Sequence, residues 1–148
     1  MIEIEIDDRE VRQALNDLAR RVADLSPAMR AIGQELETRI AERFERQRDP
    51  AGRPWAPLKG ATLAKKKGRG SILYHTGDLL DSRTHRAGRD FVEVGFGKPY
   101  AAYHEFGTRK MPRRGLLMAD PNARTLGEAD RAAIIETLAD YLADALKR

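Results

Sequence analysis

The chain has 148 residues, of which 41% are hydrophobic and 34% are charged, and it contains no cysteine. This length suits one domain with its own core, and the apolar content is too high for a wholly disordered chain. Without cysteine there are no disulfides, no thiol catalysis and no thiolate metal site, and no apolar run approaches the roughly 20 residues of a membrane span. We therefore expect a single cytoplasmic domain, residues 1–148, that does not engage a membrane.

Positive charge is concentrated in one segment. Residues 46–70 carry eight basic side chains and one acid, whereas the remaining residues carry 19 basic and 22 acidic groups. A protein that coats DNA over its whole surface would be basic throughout, and this chain is not. The same segment contains three prolines and no clear periodicity. We therefore interpret residues 46–72 as a long extended basic arm that protrudes from the domain.

The first part of the chain predicts a strand followed by two helices. Residues 2–6 alternate isoleucine with glutamate, which is the pattern of a strand with one buried face. Asp7 and Glu10 have the spacing of a capping box at the start of a first helix. Ser26 precedes a proline, as the N-cap residue of a second helix does. The apolar stripe of that second helix consists of Met29, Ile32, Leu36, Ile40 and Phe44.

The second part of the chain predicts short elements and one long helix. The short elements are a segment over 73–82, a hairpin of 84–87 and 91–96, a helix over 98–106 and a strand over 116–119. Thr125 and Glu128 have the spacing of a capping box, and Ile134 and Leu138 lie on the apolar face of the helix that follows. Together these elements predict an α+β fold, in which a small, mainly antiparallel sheet is packed by two N-terminal helices and a C-terminal helix.

A nucleotide site has little support in the sequence. Gly95 and Gly97 follow a predicted strand and precede a predicted helix, as in a phosphate-binding loop. The third glycine of that motif is replaced by Tyr100, and no βαβ unit follows. Turn glycines explain the pattern better, and we expect no cofactor.

The sequence gives equally little support for a catalytic or metal site. The candidates are His75, His85 and the pair His104-Glu105. No two of them have the helical spacing of zinc ligands, and no nucleophile lies in a recognisable context. Ordinary polar contacts explain these histidines, so we expect a protein that is not an enzyme and holds no metal.

Aromatic residues in two segments are candidates for contact with another subunit or a partner. Trp55 lies between two prolines and fits equally well as a plug for the core or as an anchor on a neighbouring subunit. Tyr100, Tyr103 and Phe106 fall within one short helix; core packing accounts for one or two of them, and a subunit contact accounts for any that stays exposed. The full candidate set for such an interface is Trp55, Leu58, Tyr100, Tyr103, His104 and Phe106.

The basic arm allows two kinds of partner. Its candidate residues are Arg53, Lys65, Lys66, Lys67 and Arg69. Basic side chains among glycines bind phosphate backbones largely without sequence preference, and an acidic protein surface is an equally good partner. A nucleic-acid-binding module that uses residues 46–70 is therefore the alternative function, and it predicts binding that weakens steeply with salt.

Three motifs occur in an order that resembles a known family. They are the tryptophan-proline segment FERQRDPAGRPWAPLK (44–59), the segment LYHTGDL (73–79), and the segment YAAYHEFGT (100–108), which is followed by KMPRR (110–114). This order is similar to that of the virion-morphogenesis or tail-completion proteins of Mu-like tailed phages and prophages. The resemblance covers nearly the whole chain.

The resemblance implies a non-enzymatic, structural protein of the virion. Such a protein completes the tail and forms part of the neck between head and tail, as a homo-oligomeric ring that is often hexameric. The implied partners are other copies of the chain, the tail tube protein and the head connector proteins, with non-specific contact to packaged DNA. The implied location is the neck end of the virion tail, after synthesis in the cytoplasm of the bacterial host.

Overall fold

The structure, a computed structural model, describes residues 8–20, 24–60, 62, 72–74 and 76–146. Its helices are α1 (Arg9–Ala19), α2 (Ser26–Arg46), α3 (Asp78–Asp81), α4 (Ala101–Phe106) and α5 (Glu128–Leu146), and its strands are β1 (Arg83–Ala87) and β2 (Val92–Phe96). The predicted α+β fold is confirmed. The strand predicted over 2–6 lies outside the described residues, as do His75 and the basic residues Lys65, Lys66, Lys67 and Arg69.

The two strands form the predicted antiparallel hairpin. Arg83 pairs with Phe96 at one end and Ala87 with Val92 at the other. The turn is closed by the N–H of Gly88, which donates to the carbonyl oxygen of Phe91 over 2.9 Å. One face of this hairpin packs on α2.

Two of the predicted helix starts are wrong. Ser26 is the first residue of α2 and not its cap, because the Asp24 carboxylate accepts both the N–H and the hydroxyl of Ser26, at 2.9 and 2.6 Å. The predicted capping box at Thr125 and Glu128 does not form. Thr125 is paired with Asp120 in an isolated bridge, so its backbone belongs to the preceding turn and α5 begins at Glu128.

The first helix begins one residue later than the sequence pattern suggests. The carboxylate of Asp8 accepts the N–H groups of Glu10 and Val11, at 3.1 and 3.3 Å. Asp8 therefore satisfies two of the free donors at the start of α1. Asp7, the predicted capping residue, lies outside the described residues.

The core has two clusters that share α2. The first contains Leu25, Ala28, Met29, Ile32, Ile134 and Leu138, and the second contains Ile40, Phe44, Trp55, Leu79, Phe96, Ala101 and Leu116. The apolar stripes predicted for α2 and α5 thus face the interior. At 1.5 Å per residue the 21 residues of α2 span about 30 Å, so the clusters lie toward its opposite ends.

The beginning of the predicted arm is folded onto the domain. Arg48 and Pro54 form an isolated antiparallel bridge around a turn in which the Asp49 carboxylate accepts the N–H of Arg53 over 2.9 Å. Trp55 follows and enters the second core cluster with 4% of its surface exposed. The basic run further along the predicted arm lies outside the described residues.

Candidate assembly surface

A buried carboxylate organises the segment around α4. Glu105 is 1% exposed, and its carboxylate accepts the backbone N–H groups of Leu116, Leu117 and Met118 at 2.7, 2.8 and 2.9 Å. The strand predicted over 116–119 is therefore wrong, because these N–H groups bond to a side chain and not to a neighbouring strand. The segment 116–118 is held against α4 by one residue.

Two consecutive arginines fasten the same loop on either side. Arg113 donates from Nε to the carbonyl oxygen of Glu105 over 2.7 Å and from Nη2 to that of Met118 over 2.5 Å. Arg114 is 7% exposed and donates to the carbonyl oxygens of Ala56 and Pro57, at 2.9 and 3.2 Å. Burial lowers the pKa of Arg114 from its usual value. Arg114 therefore ties this loop to the tryptophan-proline segment.

Trp55 completes the connection from the core side. Its indole N–H donates to the carbonyl oxygen of Gly115 over 2.9 Å, and its ring meets that of Phe44 edge-on with centroids 5.3 Å apart. Of the two alternatives for Trp55, the structure places it as a plug in the core of its own domain. Leu58, three residues on, is half-buried beside the groove described below.

A buried ion pair lies beneath the loop. Asp130 is 2% exposed and accepts from Nε of Arg39 over 2.6 Å and from Nη2 of Arg43. Arg43 also donates to the carbonyl oxygen of Leu116 over 2.7 Å. Burial lowers the pKa of the Arg43 guanidinium, and the charge of Asp130 opposes that effect. The sequence pattern does not predict this group, although it holds one signal: Arg43 lies on the apolar side of α2 directly before Phe44.

The outer face of α4 is aromatic and exposed. Tyr100 at the start of the helix is 40% exposed, Tyr103 is 58% exposed and Phe106 is 50% exposed. The structure thus separates the inner side of α4, which carries Glu105, from an outer side with large apolar groups. Exposed groups of this kind, when they are clustered, are characteristic of protein interaction sites.

Glycine is required where α4 ends. Gly107 has a φ of 76°, in the left-handed region that side-chain-bearing residues rarely adopt. A Cβ added there would lie 3.0 Å from the backbone nitrogen of Arg113. The close approach of the Arg113 backbone to the end of α4 therefore depends on glycine at position 107.

A groove of about 390 Å³ runs beside α4. Its lining residues are Leu58, Lys59, Thr62, Leu73, Tyr74, Thr76, Gly77, Asp78, Leu79, Tyr100, His104, Lys110, Met111, Pro112 and Arg114. It therefore brings together parts of all three sequence motifs.

The imidazole of His104 lines this groove. Its ring meets that of Tyr100 edge-on, with centroids 6.3 Å apart. Burial, and then the positive charge of Arg114, lower the pKa of His104 below its usual value. Its Nδ1 is buried and has no hydrogen-bond partner among the described residues. The neighbouring Glu105 cannot serve as its acid–base partner, since that carboxylate is occupied by backbone N–H groups.

The remaining candidate residues are dispersed. His85 lies on β1, where its Nδ1 bonds to the Glu37 carboxylate on α2. Arg53 is exposed in the turn before Trp55. Within the described ranges, no group of three or more acidic or histidine side chains is arranged to hold a metal ion. None of the helices that the structure describes is long and apolar enough to cross a membrane.

A small α+β domain with a rigidly braced, outward-facing aromatic helix has the features of an assembly component. Comparison with known sequences agrees with this class: the sequence model of the phage virion morphogenesis family matches residues 6–143. The chain therefore belongs to the phage virion morphogenesis family, and its role is that of a structural protein in virion assembly.

Two curated relatives are similar over much of their length. Mu-like prophage FluMu G protein 2 of Haemophilus influenzae is 34% identical over 143 residues, which cover 95% of this chain and 96% of the relative. The putative capsid assembly protein G of Escherichia phage Mu is 33% identical over 109 residues, which cover 70% of this chain and 69% of the relative. No solved structure gives a significant match.

Proposed function

We propose that this protein completes the phage tail and forms part of the neck that joins it to the head, as a closed ring of identical subunits. Family membership across residues 6–143 supports a role in the virion. The observation that carries the finer proposal is the two-sided construction of α4. The Glu105 network fixes its inner side, while Tyr103 and Phe106 on its outer side are 58% and 50% exposed.

A ring suits a protein of this size. One small domain offers limited contact area to each neighbour, and a heterologous contact repeated around a closed ring makes modest single contacts strong together. A helix that is already braced loses little conformational freedom when it binds, which favours association. The partners on the two faces of the ring would be the tail tube protein and the head connector proteins, and packaged DNA would pass close to the basic residues.

Inactivation of the gene in the phage or prophage that encodes the chain tests this proposal. After induction, electron microscopy should show DNA-filled heads and separate, unjoined tails. The name of the phage Mu relative refers to capsid assembly. If well-formed heads are missing while tails are normal, the protein acts in head assembly and the tail-completion proposal is wrong.

Rescue with variants connects the defect to the surface of α4. Tyr103→Ser combined with Phe106→Ser should give a folded protein that fails to restore joined particles. The matched control combines Glu42→Ser with Glu45→Ser on the exposed face of α2 and should restore them. Full rescue by the α4 variant would refute the role of this face.

The nucleic-acid-binding alternative is tested separately. Lys65, Lys66 and Lys67 are replaced by glutamine, and retention of DNA is measured at several salt concentrations. Loss of retention together with normal particle assembly would favour DNA binding as the function of the basic segment. Unchanged retention would dismiss that alternative.

A further inference from the structure

The groove beside α4 is cationic as well as aromatic. Exposed Lys59 and Lys110 line it, and Arg114 contributes a buried positive charge. Among the described lining residues, Asp78 is the one acid. A groove with aromatic walls and an excess of positive charge fits a partner surface that is flat and negatively charged.

Helix α5 carries a surface of that kind. Glu136, Asp140 and Asp144 are exposed at intervals of four residues, with the exposed Ala139 and Ala143 between them. We call these five residues the acidic face of α5. The small alanine side chains make this surface flat, so it can fit closely into a groove.

Among the described residues, no cation is paired with the carboxylates of the acidic face. Within the described ranges, none of Glu136, Asp140 and Asp144 makes an ion pair or a side-chain hydrogen bond. Like charges four residues apart on a helix repel one another. Cations from another molecule would relieve that repulsion.

The groove and the acidic face lie toward opposite ends of the domain. Leu79, which lines the groove, belongs to the core cluster around the C-terminal half of α2. The C-terminal half of α5 lies beside the start of α2, where the Tyr141 hydroxyl donates to the carbonyl oxygen of Asp24 over 3.1 Å. A contact between the two surfaces therefore has to join two molecules, and it leaves one of each surface free for the next copy.

We infer that the occupant of the groove is the acidic face of α5 from a second copy of this chain. The inference rests on the proposed ring and specifies its contact. Tyr100 and Tyr74 pack against the alanines, while Lys59 and Lys110 approach the carboxylates. A second copy is favoured over nucleic acid because the described part of the chain itself supplies a surface of matching charge and relief.

Exchange of charge between the two surfaces tests the inference. A groove variant carries Lys59→Glu and Lys110→Glu, a helix variant carries Asp140→Lys and Asp144→Lys, and a combined variant carries all four changes. The control carries Glu42→Lys and Glu45→Lys, which make the same charge change as the helix variant on the exposed face of α2. The molar mass of each purified protein is measured by light scattering over a concentration series.

The wild type and the control should form oligomers of the same mass. The groove and helix variants should each self-associate with a dissociation constant raised by at least about tenfold, because like charges then face each other across the contact. The combined variant should recover the wild-type mass. Circular dichroism verifies that every variant is folded.

Each contrary result has a definite meaning. A monomeric wild type, unchanged mass in either single-surface variant, or no recovery in a folded combined variant would overturn the inference. Loss of DNA retention by the groove variant without a change in mass would assign the groove to nucleic acid. If self-association follows the charges but particles assemble without the gene, the proposed function fails and the inference stands. If particles require the gene but self-association does not follow the charges, the inference fails and the proposed function stands.

Discussion

The indole N–H of Trp55 donates to the carbonyl oxygen of Gly115, sixty residues further along the chain. This bond joins the tryptophan-proline segment to the loop that Glu105 holds against α4. Arg114 repeats the connection through the carbonyl oxygens of Ala56 and Pro57. Two of the three motifs noted in the sequence thus form one connected support beneath the aromatic face of α4.

Substitution of Trp55 should separate its packing from its hydrogen bond. Trp55→Ala removes a buried ring and should lower the free energy of unfolding by about 3–5 kcal/mol. Trp55→Phe keeps most of the packing but leaves the Gly115 carbonyl without its donor, which should cost about 1–3 kcal/mol. Urea unfolding followed by circular dichroism measures both, since Trp55 is the sole tryptophan and fluorescence is lost with it.

A matched aromatic control is available on α4. Phe106→Ala removes a ring that is 50% exposed and should change the free energy of unfolding by less than about 1 kcal/mol. If Trp55→Ala costs no more than Phe106→Ala, Trp55 does not act as a core plug.

Substitution of Glu105 should release the loop at 116–118. Glu105→Gln turns one acceptor into a donor that opposes the backbone N–H groups, and it should cost about 2–3 kcal/mol of unfolding free energy. The specific signature is faster hydrogen exchange at the amides of Leu116, Leu117 and Met118. Glu45→Gln on the exposed face of α2 is the control and should leave both quantities unchanged. Equal exchange rates in wild type and Glu105→Gln would contradict the assigned role.

A buried and an exposed ion pair of the chain should differ strongly in their contribution to stability. Asp130→Asn leaves Arg43 buried without its counter-charge and should cost about 3–5 kcal/mol. Glu93→Gln breaks the exposed pair with Arg86 and should cost at most about 1 kcal/mol. Urea denaturation of both variants makes the comparison, and similar costs would show that burial does not decide the strength of these pairs.

Acidification should destabilise the protein partly through His104. Its pKa is lowered in the folded state by burial and by Arg114. As the pH falls through the usual histidine value near 6.5, the unfolded chain binds a proton that the folded chain does not, so the unfolding free energy decreases. The contribution is fully present above that pH and is lost below it.

The His104→Gln variant isolates this contribution. Its urea stability is compared with that of the wild type at pH 7.5, 6.5 and 5.5, values chosen to bracket the usual histidine pKa. The advantage of the wild type over His104→Gln should shrink as the pH falls. An advantage that grows on acidification would mean that folding raises the pKa of His104 and would contradict the prediction.

Local patterns in the sequence predict the elements but not the connections between them. The stripe from Met29 to Phe44 predicts α2, and the turn at Gly88 predicts the hairpin, because both depend on neighbours along the chain. The bonds of Trp55 to Gly115 and of Arg43 to Asp130 join residues 60 and 87 positions apart, and no periodicity encodes them.

For the aromatic candidates too, the sequence predicts the helix but not its contacts. The sequence places Tyr100, Tyr103 and Phe106 within one short helix, but it cannot tell which side of that helix faces the core. Burial of Glu105 settles the question, because a carboxylate that binds three backbone N–H groups turns the aromatic side outward. The charged Glu105 inside an aromatic segment is the signal that the sequence offers for this orientation.

Glu105 recognises main chain, and this has an evolutionary consequence. Every residue type except proline can supply the N–H groups at positions 116, 117 and 118. The carboxylate therefore does not restrict which other side chains these positions carry, and the partly exposed Leu117 is the position most open to exchange. Related phages could diversify this loop for different neighbours in the virion while keeping its course, provided that proline stays out of it.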